Sequence, residues 1–346
     1  MVTRSPAACQ SDAERIASGE TAAWKQALAA SFTEVAALLD ALGLDGKDLP
    51  DLDRTSPLAF RLLVPHAFAA LMRPGDPNDP LLRQVLPRVA ERAGSDDYIN
   101  DPVGDAAADR GHGLLQKYAG RALLIATGAC AIHCRYCFRR HFPYAAMGSA
   151  AVRDASALAR IAADPSLSEV ILSGGDPLMR DDRSLERLIA ELNGIGHLRR
   201  LRIHTRLAVV LPNRVTERLC AILSGSRLTP VVVIHANHPN ELGPAAEQAV
   251  QRLRRAGVTA LNQSVLLRAV NDDSTTLRQL SERLFQCGAL PYYLHQLDPV
   301  AGAAHFQVTD ACATELIASL REQLPGYLVP QLVREVPGAG SKRPIF

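Results

Sequence analysis

The sequence predicts an α/β protein: a partial (β/α) barrel of about six parallel βα units, with an N-terminal helical cap and a C-terminal strand and loop extension. Three observations carry this. Short β-branched or aliphatic runs occur at Ala122–Ile125, Val170–Ser173, Leu201–Thr205, Val231–His235, Leu261–Leu267 and Tyr292–Leu297, each followed by a polar turn and an amphipathic stretch. From the second run on they recur about every thirty residues, the length of one strand plus one crossover helix, which argues a parallel sheet curling toward a barrel. A doubly wound open sheet shares this rhythm and is the other arrangement to consider. Finally, 346 residues at 47% hydrophobic suffice for a substantial core in one large domain with a smaller one appended.

The elements before the first run read as helix and loop. From Thr21 to Gly43 apolar residues fall at helical spacing, Trp24 with Leu28, then Val35, Leu38, Leu39 and Leu42. Ser31-Phe32-Thr33 offers a break and a new N-cap, so two short helices are expected, the second stopping at Gly43. Another short helix is expected over Pro65–Leu71, and a helical Leu81–Leu86 piece after the turn-forming prolines and Asx residues of Arg73–Pro87. Residues from about Glu91 to Gly113 read as an irregular wrapping segment. The expected division is a cap over 1–112, the βα core over 113–325 and an extension over 326–346.

Composition excludes some functions. Lys and Arg number 38 against 36 Asp and Glu, a net charge of +2, so no overall field recruits nucleic acid or a membrane surface. The seven cysteines are an odd number, and three are crowded together, unlike a secreted disulfide framework. Cys9, Cys220, Cys287 and Cys312 are scattered and read as inert fillers. The N-terminus lacks the apolar core of a signal peptide, and no run of eighteen apolar residues follows. A cytoplasmic protein is expected.

The most informative stretch follows the first run. Cys130, Cys134 and Cys137 are spaced C-x3-C-x2-C in one loop, close enough to converge on one inorganic cluster. Four thiolates would close a four-iron cluster, whereas three leave one iron open to a ligand, by the logic that separates catalytic from structural zinc. A zinc ion and three inert thiols are the alternatives. For zinc the nearest fourth ligand is His133, which lies between two of the cysteines. In a β/α barrel the strand C-termini carry the chemistry, and other unusual residues fall there: Ser173-Gly174-Gly175-Asp176-Pro177, His204-Thr205-Arg206, His235-Ala236-Asn237-His238 and Asp298. A last run, Leu328–Val333, leads to Glu335 and to Lys342 within Gly338-Ala339-Gly340-Ser341-Lys342. Small residues around a lysine leave room for a Schiff base with pyridoxal phosphate, although a solvated tail lysine would look the same alone.

The cysteine loop, with Tyr136 just before the third cysteine, resembles the signature of the radical S-adenosylmethionine (SAM) superfamily. That resemblance implies a [4Fe-4S] cluster on Cys130, Cys134 and Cys137 and one-electron cleavage of SAM to a 5′-deoxyadenosyl radical. It also implies a SAM site at Ser173, Gly174, Gly175 and Asp176, with His235 near the adenosyl group. From about Asp79 to Lys342, GLLQKYAGRALL, CRYCFRRHFPY, SGGDPLM, HANHPNE, LNQSVLLRAVND and PYYLHQLDPVAGAAHF resemble the lysine 2,3-aminomutase family, nearest to its EpmB-type, elongation factor P-associated branch.

The resemblance implies an isomerase that moves the amino group of L-lysine from C2 to C3, giving β-lysine. Lys342 would form the Schiff base with pyridoxal phosphate, and Lys117, Tyr118, Arg121, Asn262 and Gln263 would seat that cofactor, Arg121 at its phosphate. Arg139 would hold the substrate carboxylate, with Arg140 a structural charge. Asp298 and Glu335 would hold the far ammonium, the second position usually being aspartate in the family. Longer members carry a C-terminal zinc-binding cysteine cluster that this sequence lacks, and Asp273 stands where the barrel would complete it. No zinc is expected, and the zinc-linked oligomer interface is expected to be absent or different. The implied partners are a flavodoxin- or ferredoxin-type electron donor and, functionally, elongation factor P with its lysyl ligase. Two other functions fit the same residues: an aminomutase for glutamate or arginine, or a non-catalytic iron–sulfur partner of the translation machinery.

Overall fold

The strand at Arg200–Thr205 shows how the sheet is organised. Leu201 and Ile203 are buried in the main core, whereas Arg202 and His204 line a cavity on the other face, as the period-two alternation of a strand requires. The computed structural model describes residues 19–54, 60–94 and 96–346, and Cys9 and the N-terminal stretch lie outside them. The sheet has nine strands in sequence order: β1 Leu114–Tyr118, β2 Arg121–Thr127, β3 Glu169–Gly174, β4 Arg200–Thr205, β5 Thr229–His235, β6 Thr259–Val265, β7 Leu290–His295, β8 Gln331–Arg334 and β9 Arg343–Pro344. Strands β2 to β8 pair in parallel, while β1 on β2 and β9 on β8 are antiparallel. The sheet is unclosed, as a partial barrel requires, with β1 and β9 as its ends.

Crossover helices cover the outer face: α1 Ala150–Ala163, α2 Asp182–Asn193, α3 Glu217–Ser224, α4 Pro244–Arg255, α5 Ser274–Cys287 and α6 Asp310–Gln323. Ile161, Leu185, Leu188, Leu219, Leu223, Val250, Leu253, Leu280 and Leu284 meet Val170, Leu172, Leu201, Ile203, Val232 and Ile234 in one core. Most start at a side-chain cap, Ser149, Asp181, Thr216, Asp273 and Thr309 each accepting a backbone N–H of the first turn, which satisfies donors that a helix start leaves open. Asp273 is thus the N-cap of α5.

The cap begins with a helix over residues 19–29 and a second at Val35–Ala41, the break falling at the expected Ser31-Phe32-Thr33. One-turn helices follow at His66–Ala69, Pro80–Arg83 and Asp105–Ala108. Two expectations shift. The final aliphatic run starts as a 3-10 turn at Gly326–Leu328, and only Gln331–Arg334 is strand. Strands β1 and β9 carry no run of their own in the sequence reading. Both are short; β9 is exposed, and in β1 only the adjacent Leu114 and Leu115 are buried, so periodicity does not mark them. No described helix is long and apolar enough to cross a membrane.

Candidate active site

The end of β3 clasps the loop that follows β2. Gly174 has φ +124°, and a Cβ there would lie 2.4 Å from the Thr127 carbonyl oxygen; at Gly175 it would lie 2.3 Å from that of Ala129. The N–H groups of Gly175 and Asp176 donate to those two oxygens, each at 2.8 Å. Glycine is therefore demanded by the cysteine loop's own backbone, where the sequence reading has it making room for a ligand. This contact seats Cys130, Cys134 and Cys137 along one wall of a cavity.

Burial and then the neighbouring thiols raise Cys130 well above its ordinary range and Cys137 to about 11. Thiolates that repel one another on a shared wall form a ligand set that favours bound cationic charge. Among the described residues no group converges on a single metal ion, and a four-iron cluster, with each thiolate on a different iron, does not require that. His133 turns away from the thiols, its Nδ1 2.8 Å from the Arg61 carbonyl oxygen and its ring stacked on Phe60 at 5.0 Å. The three thiols without a fourth fit an open cluster.

Across the cavity lies a web of charges. Asp105 bridges two cations: Arg139 Nε donates to its Oδ2 at 2.7 Å, and Lys117 Nζ pairs with its Oδ1 at 2.7 Å. Burial raises the Asp105 pKa, but Arg139 and Lys117 outweigh it and hold the carboxyl below its usual range. Arg139 also donates to Ser173 Oγ at 3.2 Å, and Lys117 to the Val103 carbonyl oxygen at 2.8 Å. Glu335 accepts from Tyr118 Oη at 2.5 Å and from Lys342 Nζ at 2.6 Å, with Lys117 Nζ 3.6 Å away. Burial pushes Glu335 up, yet Lys342 and these donors keep it ionised below the ordinary value. Asp298 is the contrast: its Oδ1 is buried without a partner, and desolvation lifts its carboxyl to about 7 despite Lys342 nearby. Arg121 stacks on the Tyr118 ring at 4.6 Å and makes no ion pair among the described residues. A cation without an anion, lining the same cavity as a lysine amine, fits a phosphorylated aldehyde cofactor.

All but one of the expected site residues line this cavity. The exception is Asn262. Its Nδ2 donates to the Ala236 carbonyl oxygen at 3.1 Å and to Ser264 Oγ at 2.9 Å, and its Oδ1 accepts the Ala236 N–H at 2.9 Å, so it clamps β5 to β6 and has no donor left for a cofactor. Asp176 needs a second correction. Its carboxylate accepts from Thr205 Oγ1 at 2.8 Å and from the N–H groups of Arg206, Leu178 and Leu207 at 2.6, 3.0 and 3.2 Å, which ties β3 to β4, and burial raises it to about 6. Ser173 is likewise engaged, by Arg139. Gln263 and His235 face the cavity as expected; burial, then Arg206, drives His235 down to about 3, so it is neutral with a free Nε2.

One cavity group, Asp105, has no place in the sequence reading, and a second, His204, is marked there only as a strand-end residue without a role. Asp105 sits in the wrapping segment, and its signal is the Asp101 side chain, which caps the Asp105 and Ala106 N–H groups at 2.8 and 3.0 Å. His204 stands near Arg202, Lys342 and Arg139, its pKa pushed well down first by desolvation and then by those cations, with Nε2 unpartnered.

An open, mostly parallel sheet with three thiols after its first parallel strand defines a radical SAM domain, and the Radical SAM superfamily model matches residues 124–280. Similarity to whole proteins goes further. The "L-lysine 2,3-aminomutase" of Escherichia coli K12 is 46% identical over 322 residues, 93% of this chain and 94% of that protein. That of Haemophilus influenzae is 44% identical over 319 residues, covering 92% and 94%, and that of Clostridium subterminale is 37% identical over 290 residues, covering 83% and 69%. The chain belongs to the lysine 2,3-aminomutase family and is an enzyme of the isomerase class.

Proposed function

We propose that this chain converts L-lysine to β-lysine by 2,3-migration of the amino group, with a [4Fe-4S] cluster on Cys130, Cys134 and Cys137, SAM, and pyridoxal phosphate on Lys342. The observation that carries the proposal is one cavity lined by the three thiols, the Lys342 amine and the carboxylates of Asp298 and Glu335. When bound, the cluster and SAM supply a hydrogen-abstracting radical, and pyridoxal phosphate supplies an imine that carries the migrating nitrogen and spreads unpaired spin.

The chain's own residues bind and orient. Arg121 takes the cofactor phosphate, with Lys117, Tyr118 and Gln263 around it, and Glu335 fixes the Lys342 amine beside that place. Arg139, held by Asp105 and Ser173, presents its remaining guanidinium face to the substrate carboxylate. Asp298 and Glu335 receive the far ammonium of lysine, a choice that repels a glutamate side chain. Gly174, Gly175 and His235 form the SAM side, while Asp176 acts through the β4 loop it braces. The buried lining excludes water from the reacting atoms.

The electron comes from a flavodoxin- or ferredoxin-type donor, and β-lysine goes to elongation factor P through its lysyl ligase. The sequence resemblance around CRYCFRRHFPY supports this route. Anaerobic turnover of lysine with SAM, pyridoxal phosphate and a low-potential reductant tests the activity: β-lysine is the expected product, and deoxyadenosine without any β-amino acid would refute it. Loss of β-lysylated elongation factor P on deletion of this enzyme tests the route.

A further inference from the structure

We propose that Arg206 is a positioning residue that sets the reduction potential of the cluster, by holding a buried guanidinium against the sulfur of Cys134. The proposal rests on the cluster reading above and adds to it a residue that ligates nothing.

Arg206 follows directly on β4. Its Nη1 donates to Cys134 Sγ at 2.6 Å, and its Nη2 donates to Gln84 Oε1 at 2.8 Å and to Glu241 Oε2 at 3.1 Å. The guanidinium lies 5.4 Å from the Phe68 ring centroid and 5.7 Å from that of Tyr136. Arg206, Gln84, Glu241, Phe68 and Tyr136 are all buried. The counter-ion is itself pinned, because Glu241 Oε1 accepts from Gln84 Nε2 and the Asn237 N–H, both at 3.0 Å, and from the His238 N–H at 3.1 Å. Asn237 Nδ2 in turn donates to Tyr136 Oη at 2.7 Å and to Gln84 Oε1 at 3.0 Å. The cation cannot swing away without unpairing several buried groups.

Burying an ion pair costs desolvation that the pair alone seldom recovers. What distinguishes this pair is its orientation: the cation touches a cluster ligand and the anion does not. Reduction adds one electron, taken from the low-potential donor, and breaks no bond at Arg206. It makes the cluster and its thiolates more negative, so a cation and a hydrogen bond on one sulfur stabilise the reduced form more than the oxidised one. Glu241 opposes this from the other amino group of the guanidinium. The two charges therefore push the potential in opposite directions, which a purely structural role would not do.

The test compares anaerobically reconstituted wild type, Arg206→Gln, Arg206→Lys and Glu241→Gln by iron analysis and by potentiometric titration followed by electron paramagnetic resonance. With iron content equal, Arg206→Gln is expected to lower the reduced-to-oxidised ratio at a fixed potential at least tenfold, ~59 mV for one electron. Arg206→Lys should restore part of this, and Glu241→Gln should shift the ratio the other way. Reduced-to-oxidised ratios within a factor of two of wild type at the same potential, or shifts of the same sign in Arg206→Gln and Glu241→Gln, would overturn the proposal. If Arg206→Gln does not fold, the signs for Arg206→Lys and Glu241→Gln decide it. Wild type that takes up no iron refutes the cluster reading itself, a separate result.

Discussion

Replacing Asp105 by Asn tests whether the segment before the sheet is part of the active site. The substitution keeps the shape but removes the negative charge that faces Arg139 Nε and Lys117 Nζ, each at 2.7 Å. Arg139 is 7% exposed on its side chain and Lys117 20%, so two largely desolvated cations lose their shared counter-ion. Breaking a buried pair by removing one partner costs roughly 3–5 kcal/mol. An unfolding entropy of ~2.1 cal/mol/K per residue over 346 residues gives roughly 0.7 kcal/mol/K, so the melting temperature of the cofactor-free protein should fall by about 4–7 °C. The measurement is a double-mutant cycle by thermal and urea unfolding with Asp105→Asn, Arg139→Gln and both together. The double mutant should recover part of the loss, because removing Arg139 removes one of the stranded charges. A shift below about 1 °C, or strict additivity within ~0.5 kcal/mol, would refute the bridging role.

Replacing any of Cys130, Cys134 or Cys137 by Ala should abolish iron uptake on anaerobic reconstitution, as measured by iron analysis. Lys342→Ala should lose the visible absorption of bound pyridoxal phosphate and its borohydride labelling, with iron content unchanged. Asp298→Asn and Glu335→Gln should each lower kcat/KM for lysine by about ten- to a hundredfold, the effect of losing a charge-assisted bond of roughly 1.5–3 kcal/mol; comparable turnover of glutamate by the wild type would contradict the assignment. Asp298 also makes a pH prediction. Its carboxyl titrates at about 7 when folded against an ordinary 3.8, so the folded state holds an extra proton between those values and stability falls as pH rises through them. Lysine needs the ionised form, so its affinity should rise over the upper part of the same interval, and Asp298→Asn should flatten both profiles.

Periodicity and spacing made the parallel strands and the cysteine loop legible in the sequence, since both are local properties of the chain. The placing of pyridoxal phosphate on Lys342 rests on resemblance, because a lysine among glycines looks the same in a solvated tail. Asp105 carried only the local capping signal of Asp101: it comes from an irregular segment, and two cations reach it from β1 and from the cysteine loop. Asn262 misled for the converse reason. A polar residue inside a strand suggests a ligand, but here the amide is consumed by the neighbouring strand's backbone. Gly174 and Gly175 were rightly marked as places of close backbone approach, and only the fold shows that the approaching partner is the chain itself.

Strand β1 and the segment after β8 do not pair through their backbones, yet they touch. Tyr118 at the end of β1 donates to Glu335, one residue past β8, and Lys117 stands 3.6 Å from the same carboxylate. The barrel is thus fastened by a clasp of side chains where a closed barrel would be welded by a ladder. Parting this clasp costs a few hydrogen bonds to a charged group, roughly 1.5–3 kcal/mol each, and leaves every strand pairing intact. Its hook is Glu335, which also holds the Lys342 amine. One carboxylate thus serves two duties, fastening the seam to Tyr118 and holding the Lys342 amine, so a change of charge on that amine alters a bond at the seam itself.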